Sequence, residues 1–596
     1  MLRTPFAGHF SRHGDPSLGV QFDKGWAGEF TTFGGPISTH NESGTVCVGS
    51  ARIDNRGELI TQLALTSQAT DLELLHHAYL KWHDDCAERI FGDWSFAVWD
   101  RESRELFVAR DHFGFTSIFY YLDDDQFAFA SDLGVLLEMG LVAPSVNELF
   151  IAHRLTSWPQ TDGGITAYND VHRLPPAHLM TVNPTTVSIR QYWYLERTPE
   201  LVLTDPREYA EGLRNIFRDA VTARLRRDGG TVASGLSGGL DSSSVTAMAA
   251  RILDQTGEGL DAYTSVPIAD TSAFVPTRFG DELPMAKATA GQYLNIRLHA
   301  VDAAEVSPIA AIRQELAFTK EPGHAAGNSY WLLALDQAAA AAGASVLLVG
   351  QHGNSGFSWN GSVFSQPLSY QLSNLGAKGF VRTRGMRALP PSAVRWRRRR
   401  HTHERMFSGT ALNPEFAARI DLITLLAQDP SRNPARTVNE ERSWLGPGIS
   451  STGSLWAAHS RAAGIDITDP TADARLLAYA WSIPDRHFID PATGVTRKVI
   501  RDAMAGVIPD EVRLNQKRGR QAADLPVRLR LVASEVEDAI SQIEAGSGAQ
   551  YVSPERLRSA WKLIQTQDSP QAYDLSVKNL TRGLMVGIFA SEVANG

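Results

Sequence analysis

The stretch VASGLSGGLDSSSVTAMAARIL, from Val232 to Leu253, decides the fold of the larger part of the chain. Its apolar start predicts a buried strand, its glycines and serines predict a turn, and apolar residues at helical spacing predict a helix after the turn. A glycine turn between a strand and a helix directs unpaired backbone N–H groups at an anion. We therefore expect a phosphate-binding loop at the carboxyl end of this strand.

The loop itself, SGGLDSS, carries the residue types that a pyrophosphate site needs. Gly238 and Gly239 let the backbone approach a ligand closely, and Asp241 can hold Mg²⁺ against phosphate oxygens. The hydroxyl donors are Ser237, Ser242 and Ser243. The Lys-Ser/Thr ending of the kinase and GTPase loop is absent. Serine in place of that lysine matches the loop of enzymes that cut ATP between its α and β phosphates.

Four apolar strands alternate with helices from about residue 205, namely TVASGL, AYTSVPI, IRLHAV and SVLLVG. This alternation predicts an α/β fold whose parallel sheet is covered by helices on both faces and binds ligands at the carboxyl ends of its strands. Leu236, Val266 and Gly350 stand at those ends and are the expected walls or backbone contacts of an adenosine pocket. Beyond residue 360 we expect mostly helix.

The chain up to about residue 196 has a different pattern, which predicts a β-rich unit with helices. DLELLHHAYLKW has apolar residues at helical spacing, whereas GDWSFAVWD and ELFVARD are short strands. In SIFYYLDDDQFAFAS an acidic turn separates two apolar and aromatic runs, which predicts a hairpin. The aromatic residues here are expected to form core rather than a binding site.

Composition excludes several classes of protein. With 43% hydrophobic and 21% charged residues the 596-residue chain is globular, and its net charge of −9 argues against a protein that coats nucleic acid. The two cysteines, Cys47 and Cys86, are too few for a disulfide framework and are expected to be buried apolar residues. No apolar run is long enough for a membrane span, so we expect a soluble cytoplasmic protein.

The arginine run at 395 and 397–400 is interpreted first as a solvated helix face, then as a docking site for an acidic peptide or partner, and last as an RNA contact.

Several ordered segments of the chain resemble the asparagine synthetase family. In the N-terminal part they are ARIDNRGEL (51–59), RIFGDWSFAVWD (89–100), ARDHFGFTSIFYY (109–121) and RLPPAH (173–178). The resemblance implies a glutaminase-like α+β sandwich of the class II, Ntn type over residues 1–196. It implies a PP-loop ATP-pyrophosphatase domain with a helical C-terminal region over residues 205–596, with ATP and Mg²⁺ as cofactors. TRKVIRDAMAGVIPDEV (496–512) is similar to the stretch that places a lysine against the reacting phosphate, which implies a catalytic Lys498, with Arg501 on the same helix face.

Two departures from the family bear on function. Glutaminases of this class use a cysteine after the initiator methionine, where this chain has Leu2, so we expect no ammonia from glutamine by that route. Gln351, Asn354 and Ser355 stand where acids are expected. Asp241 would then be the main charged magnesium ligand, and Asn354 would add a neutral oxygen.

GQHGNSGFSWNG (350–361) and KRGRQAAD (517–524) look most like the lasso peptide cyclases. That resemblance implies an ATP-dependent ligase that adenylates an Asp or Glu side chain of a precursor peptide and joins it to the peptide's own N-terminal amine as a macrolactam. It also implies a leader peptidase and a leader-binding protein as partners, with no nucleic acid or membrane. The alternatives left open are a small-molecule amide ligase or β-lactam-type synthetase, an RNA-modifying enzyme and an inactive scaffold. The sequence does not place the base that deprotonates the amine.

Overall fold

The computed structural model describes residues 5–11, 26–27, 30–33, 37–40, 44–156, 162–390, 392–394, 409–429, 435, 437–443 and 452–594. Leu2 and the arginine run at 395–400 lie outside these residues. The strands are β1 Ala7–Ser11, β2 Trp26–Ala27, β3 Phe30–Phe33, β4 Ile37–His40, β5 Thr45–Ile53, β6 Gly92–Asp100, β7 Glu105–Arg110, β8 Phe119–Leu122, β9 Gln126–Ala130, β10 His172–Arg173, β11 His178–Val182, β12 Val187–Gln191, β13 Thr231–Gly235, β14 Leu260–Ser265, β15 Ile296–Val301, β16 Ala344–Leu348 and β17 Asp466–Thr468.

The helices of the first two thirds of the chain are α1 Arg56–Leu63, α2 Asp71–Trp82, α3 Cys86–Arg89, α4 Leu133–Glu138, α5 Glu148–Leu155, α6 Pro206–Arg224, α7 Leu240–Asp254, α8 Leu283–Ala290, α9 Pro308–Thr319, α10 Ser329–Ala341 and α11 Leu368–Ala388. Later helices span Pro414–Arg419, Leu422–Gln428, Val438–Ser443, Thr452–Ala463, Ala474–Ser482, Lys498–Ala503, Asp510–Arg513, Leu525–Leu531, Ala533–Ala545, Pro554–Thr566, Pro570–Leu575 and Thr581–Val593.

The N-terminal part is a sandwich of two antiparallel six-stranded sheets, in the orders β10-β8-β9-β1-β3-β2 and β12-β11-β7-β6-β5-β4. Aromatic and aliphatic side chains from both sheets, such as Trp99 and Phe129, form one buried cluster between them. Helix α2 packs on the outer face of the second sheet, where Cys47 and Cys86 are fully buried. The predicted helix, strands and hairpin are confirmed, and so is the α+β sandwich.

The C-terminal part contains a parallel sheet in the order β15-β14-β13-β16-β17. Because successive side chains of a strand alternate between faces, Val232 packs under α6 and α7, whereas Ala233 packs under α10. Helices thus cover both faces, as the alternating pattern predicts. The sequence does not predict β17, since a three-residue strand is too short to show a hydrophobic period.

The two parts share a large apolar core rather than a thin contact. Helices α4 and α5 pack with α9 and with the C-terminal helices between Leu525 and Val593 in one cluster of buried residues. In the part of the chain that the structure describes, no helix has the length and apolar character of a membrane span. The helical character expected beyond residue 360 is confirmed there, with β17 as a strand within it.

Candidate functional site

The predicted phosphate loop joins β13 to α7, so it lies at the carboxyl end of the central strand of the parallel sheet. Helix α7 begins without a side-chain cap at Gly239, which leaves its first backbone N–H groups free for an anion. The hydroxyls of Ser237 and Ser242 lie 2.7 Å apart, and the backbone N–H of Gly239 donates to Ser237 Oγ at 3.1 Å. The loop is therefore held in shape by its own hydroxyls.

Asp241 occupies the first turn of α7 and is suited to bind a cation. Among the described residues its buried Oδ1 has no hydrogen-bond partner, and burial raises the pKa of the carboxyl group, an effect that the nearby Arg497 opposes. A Cβ on Gly353 would lie 2.1 Å from Oδ1, so the carboxylate fits only because that position is glycine. A buried carboxylate with an unused oxygen fits the Mg²⁺ that the sequence implies.

Arg497, which sequence reasoning missed, is the cation that reaches this carboxylate. Its guanidinium lies 3.8 Å from Asp241 Oδ2 and donates to Asn354 Oδ1 at 2.6 Å and to Asn360 Oδ1 at 2.8 Å. Its backbone has a φ of +58°, a region that few residues other than glycine adopt. Asn354 is therefore at the site, where its amide oxygen accepts a hydrogen bond from Arg497.

The two cations that the sequence does predict, Lys498 and Arg501, make contacts other than with Asp241. Lys498 begins the helix Lys498–Ala503, pairs with Asp502 one turn later and has a side chain that is 42% exposed. The buried Arg501 donates to the backbone carbonyls of Thr496, Arg513 and Asn515, so it braces the surrounding turns. The catalytic role of Lys498 stays a prediction.

A cavity of about 260 Å³ opens beside the loop. The predicted residues that line it are Leu236, Ser237, Gly239, Asp241, Ser242, Val266, Gly350 and Asn354. Gly238 and Ser243 belong to the loop but do not line the cavity; a Cβ on Gly238 would lie 3.0 Å from Met285 on α8. Glu282, also missed, lines the cavity and has a pKa raised to about 7, first by burial and then by Asp281.

A second cavity of about 220 Å³ lies next to the first one. Both are lined by Trp331, Leu332, Gln351, Trp456 and Gln521. The second cavity lies between the two parts of the chain, since it is lined by residues of α4 and α5 as well as by the helix Thr452–Ala463. The two cavities thus adjoin, one beside the phosphate loop and the other at the interface.

The loop after β16 is fixed by Asp469, another residue that sequence reasoning missed. Asp469 Oδ2 accepts hydrogen bonds from the backbone N–H groups of Gln351 and His352 at 2.8 and 3.0 Å. Nδ1 of His352 is also hydrogen-bonded to Asp469 Oδ2, and the ring lies edge-on to Phe113 and Phe115 of the N-terminal part. Because Asp469 follows β17, no sequence signal could find it once that strand was missed.

A buried ionisable pair borders the first cavity. Asp336 on α10 lines the cavity, and its Oδ2 lies 2.7 Å from Nδ1 of His459 on the helix Thr452–Ala463. The His459 ring is fully buried, but its hydrogen bond and charge interaction with Asp336 and the charge of Glu315 outweigh that burial and raise its pKa. Asp336 therefore faces the cavity while a buried histidine is hydrogen-bonded to its carboxyl group.

Comparison with known proteins gives two family matches. The family described as asparagine synthase matches residues 212–582, and the glutamine amidotransferase domain matches residues 36–193. A Bacillus subtilis protein named asparagine synthetase [glutamine-hydrolyzing] 3 is 30% identical over 38% of this chain and 38% of its own length. A putative asparagine synthetase [glutamine-hydrolyzing] 2 of Methanocaldococcus jannaschii is 28% identical over 35% and 41%. A Gibberella zeae protein named amidase chry2 is 28% identical over 47% and 42%. The chain thus spans about two fifths of the length of these curated relatives.

Proposed function

We propose that this chain, which belongs to the asparagine synthase family, uses ATP to join a carboxylate and an amine of one peptide substrate. The family is one of ATP-dependent amide-forming ligases. The observation that carries the finer proposal is a pair of adjoining cavities, about 260 and 220 Å³, one beside the phosphate loop and the other at the interface. With ATP in the first cavity, the second would leave room at the interface for the reacting carboxylate and amine of a longer substrate.

The first step would be adenylation. A side-chain carboxylate of the substrate attacks the α-phosphorus of ATP, the bond to the β-phosphate oxygen breaks, and pyrophosphate leaves with its electron pair. Ser237, Ser242 and the free N–H groups at the start of α7 would hold the departing pyrophosphate. Mg²⁺, held by Asp241, would neutralise charge on the phosphates.

Arg497 would supply the positive charge that sequence reasoning assigned to Lys498. In the described structure its guanidinium is neighbour to Asp241, so ATP phosphates bound at the loop would come within its reach. Lys498 is engaged on the outside of the same helix by Asp502. Arginine also suits the task because its planar guanidinium binds phosphate oxygens in pairs.

The amine would come from the substrate itself. The printed sequence holds two cysteines, both completely buried, and burial raises the pKa of each thiol. Neither is available as a nucleophile that could release ammonia from glutamine. A peptide that carries both an Asp or Glu side chain and a free N-terminal amine needs no other amine donor. We propose the lasso type of macrolactam closure, with a leader peptidase and a leader-binding protein as partners.

The test is a mass spectrum and nucleotide assay on the purified chain with Mg-ATP. The substrates are a leader-free peptide from the neighbouring open reading frame, the same peptide acetylated at its N-terminus, and free aspartate with ammonia. The free peptide should lose one water while AMP appears. The acetylated peptide should be adenylated, as shown by hydroxamate formed with added hydroxylamine, but should lose no water.

The matched variants are Arg497→Ala and Lys498→Ala. We expect R497A to lower AMP formation by about a hundredfold to a thousandfold, the usual loss for one well-aimed donor, and K498A to lower it by less than about tenfold. If aspartate is amidated and the peptide is unchanged, the cyclase proposal is wrong and the chain is a small-molecule amide ligase. A large loss of AMP formation in K498A with none in R497A would mean that Lys498, and not Arg497, supplies the positive charge at the phosphates.

A further inference from the structure

We propose that Asp336 binds the attacking amine of the substrate and accepts its proton, and that His459 holds Asp336 in position for this step. The inference rests on the proposed amide ligase, but it assigns residues that neither the loop motif nor the family matches single out. It concerns the second half of the reaction, in which the amine replaces AMP.

The geometry of Asp336 suits a cationic ligand. Oδ2 is engaged by His459, whereas Oδ1 makes no hydrogen bond to any described residue, and the side chain lines the first cavity. Leu332, one helical turn earlier on α10, and Trp456, one turn before His459, both line the junction of the two cavities. Asp336 thus stands near the point where an amine from the interface cavity would meet an activated carboxylate at the loop.

The residues around His459 fix the position of this carboxylate. His459 is enclosed by Phe318 and Trp456, and the charged groups that face it are Asp336 from α10 and Glu315 from α9. Glu315 is itself buried, and burial raises its pKa. The imidazole holds Asp336 Oδ2 at 2.7 Å, and a buried carboxylate attracts an ammonium group more strongly than an exposed one does.

The step balances without any further reagent. Asp336 takes one proton from the ammonium group, which leaves a neutral amine. The amine nitrogen attacks the acyl carbon, the C–N bond forms, and the C–O bond to AMP breaks with its electron pair on the AMP phosphate. The second amine proton is lost to that phosphate as the intermediate collapses. General base catalysis of this kind contributes about 10²- to 10⁴-fold.

The experiment separates the two half-reactions in Asp336→Asn, which keeps the shape of the side chain. With the acetylated peptide and hydroxylamine, a nucleophile that needs no base, D336N should form hydroxamate within about twofold of the unmodified chain. With the free peptide, D336N should form the cyclised product, which has lost one water, about a hundredfold more slowly or slower still. Asp336→Glu should recover part of that loss, and His459→Gln should show a smaller loss of the same kind.

The matched control is Asp261→Asn, since Asp261 also pairs with a histidine, His299, at 2.8 Å, but near the opposite end of the sheet. It should leave both products unchanged. Equal loss of hydroxamate and water-loss product in D336N would make Asp336 structural and overturn the inference, and so would a D336N chain that still closes the peptide. If the unmodified chain forms neither product, the proposed function itself fails, and the inference fails with it.

Discussion

Arg224 joins the two parts of the chain through buried charge, and its removal should cost far more than the loss of an ordinary ion pair. The residue ends helix α6 in the C-terminal part, and its guanidinium lies 3.2 Å from Asp54 and 3.0 Å from Asp93 in the N-terminal part. The three side chains are at most 3% exposed. The mutation Arg224→Ala would therefore remove the buried cation that lies against both carboxylates in the interface.

Breaking a buried pair in this way costs about 3–5 kcal/mol. The same helix offers a control, because Arg207 pairs with Asp205 at 2.8 Å while its own side chain is 86% exposed. Water screens exposed pairs, so Arg207→Ala should leave the free energy of unfolding almost unchanged.

The loss in R224A should also depend on pH. Burial, opposed by Arg224, raises the pKa of Asp54 to about 7, so without the arginine the carboxyl group would titrate higher still. A native state that binds more protons than the unfolded state loses stability as pH rises. The difference between R224A and the unmodified chain should accordingly be smaller at pH 6 than at pH 8.

Urea unfolding followed by circular dichroism at both pH values measures these quantities on the full chain. The midpoint of R224A should fall well below that of R207A at pH 8, and the gap should narrow at pH 6. If the two variants unfold within about 0.5 kcal/mol of each other, the charge at this interface is not desolvated as the structure indicates.

Two further changes test the site and the core. Gly353→Ala places a Cβ 2.1 Å from Asp241 Oδ1 and should lower Mg-ATP-dependent AMP formation by at least tenfold, as the carboxylate is displaced, while Gly385→Ala, with open space around its Cβ, should not. Burial lowers the pKa of His112 to about 3, so the native chain resists protonating this histidine and should lose stability as pH falls below about 6.5. His112→Phe should weaken that acid sensitivity in thermal unfolding; an unchanged acid limb would mean that His112 is not the group being protonated.

The sequence predicts the elements whose hydrophobic period is long and undisturbed. Helix α2 and strand β6 lie at the predicted residues, and β15 matches its predicted stretch IRLHAV. The predicted strand at AYTSVPI begins two residues earlier, at Leu260, in the structure. Strand β17 was missed because it contains only three residues, and two of those are polar. Its pairing with β16 depends on a partner more than 100 residues away, which no local pattern reveals.

The site shows the same division between local and distant information. The phosphate loop is a local motif, and its position at the end of β13 follows from the strand before it and the helix after it. Arg497 and Asp469 approach from distant segments and have no motif of their own. Resemblance implies a catalytic Lys498, which stays a prediction, and the structure adds its neighbour Arg497, whose backbone is left-handed and whose guanidinium lies 3.8 Å from Asp241. Only the fold shows which of two adjacent cations faces the loop.

The N-terminal part contributes to this site by contact. The carboxylate of Asp111 accepts hydrogen bonds from the backbone N–H groups of residues 113–116, which makes the loop that carries Phe113 and Phe115 rigid. These two rings lie edge-on to His352. The next residue is Gly353, the glycine that makes room for Asp241. A Cβ on Gly453 would lie 1.5 Å from the carbonyl oxygen of Gly114, so backbone meets backbone at this contact. Packing this close can fix the position of Asp241 without taking part in the chemistry. The N-terminal part therefore has a structural role at the ligase site.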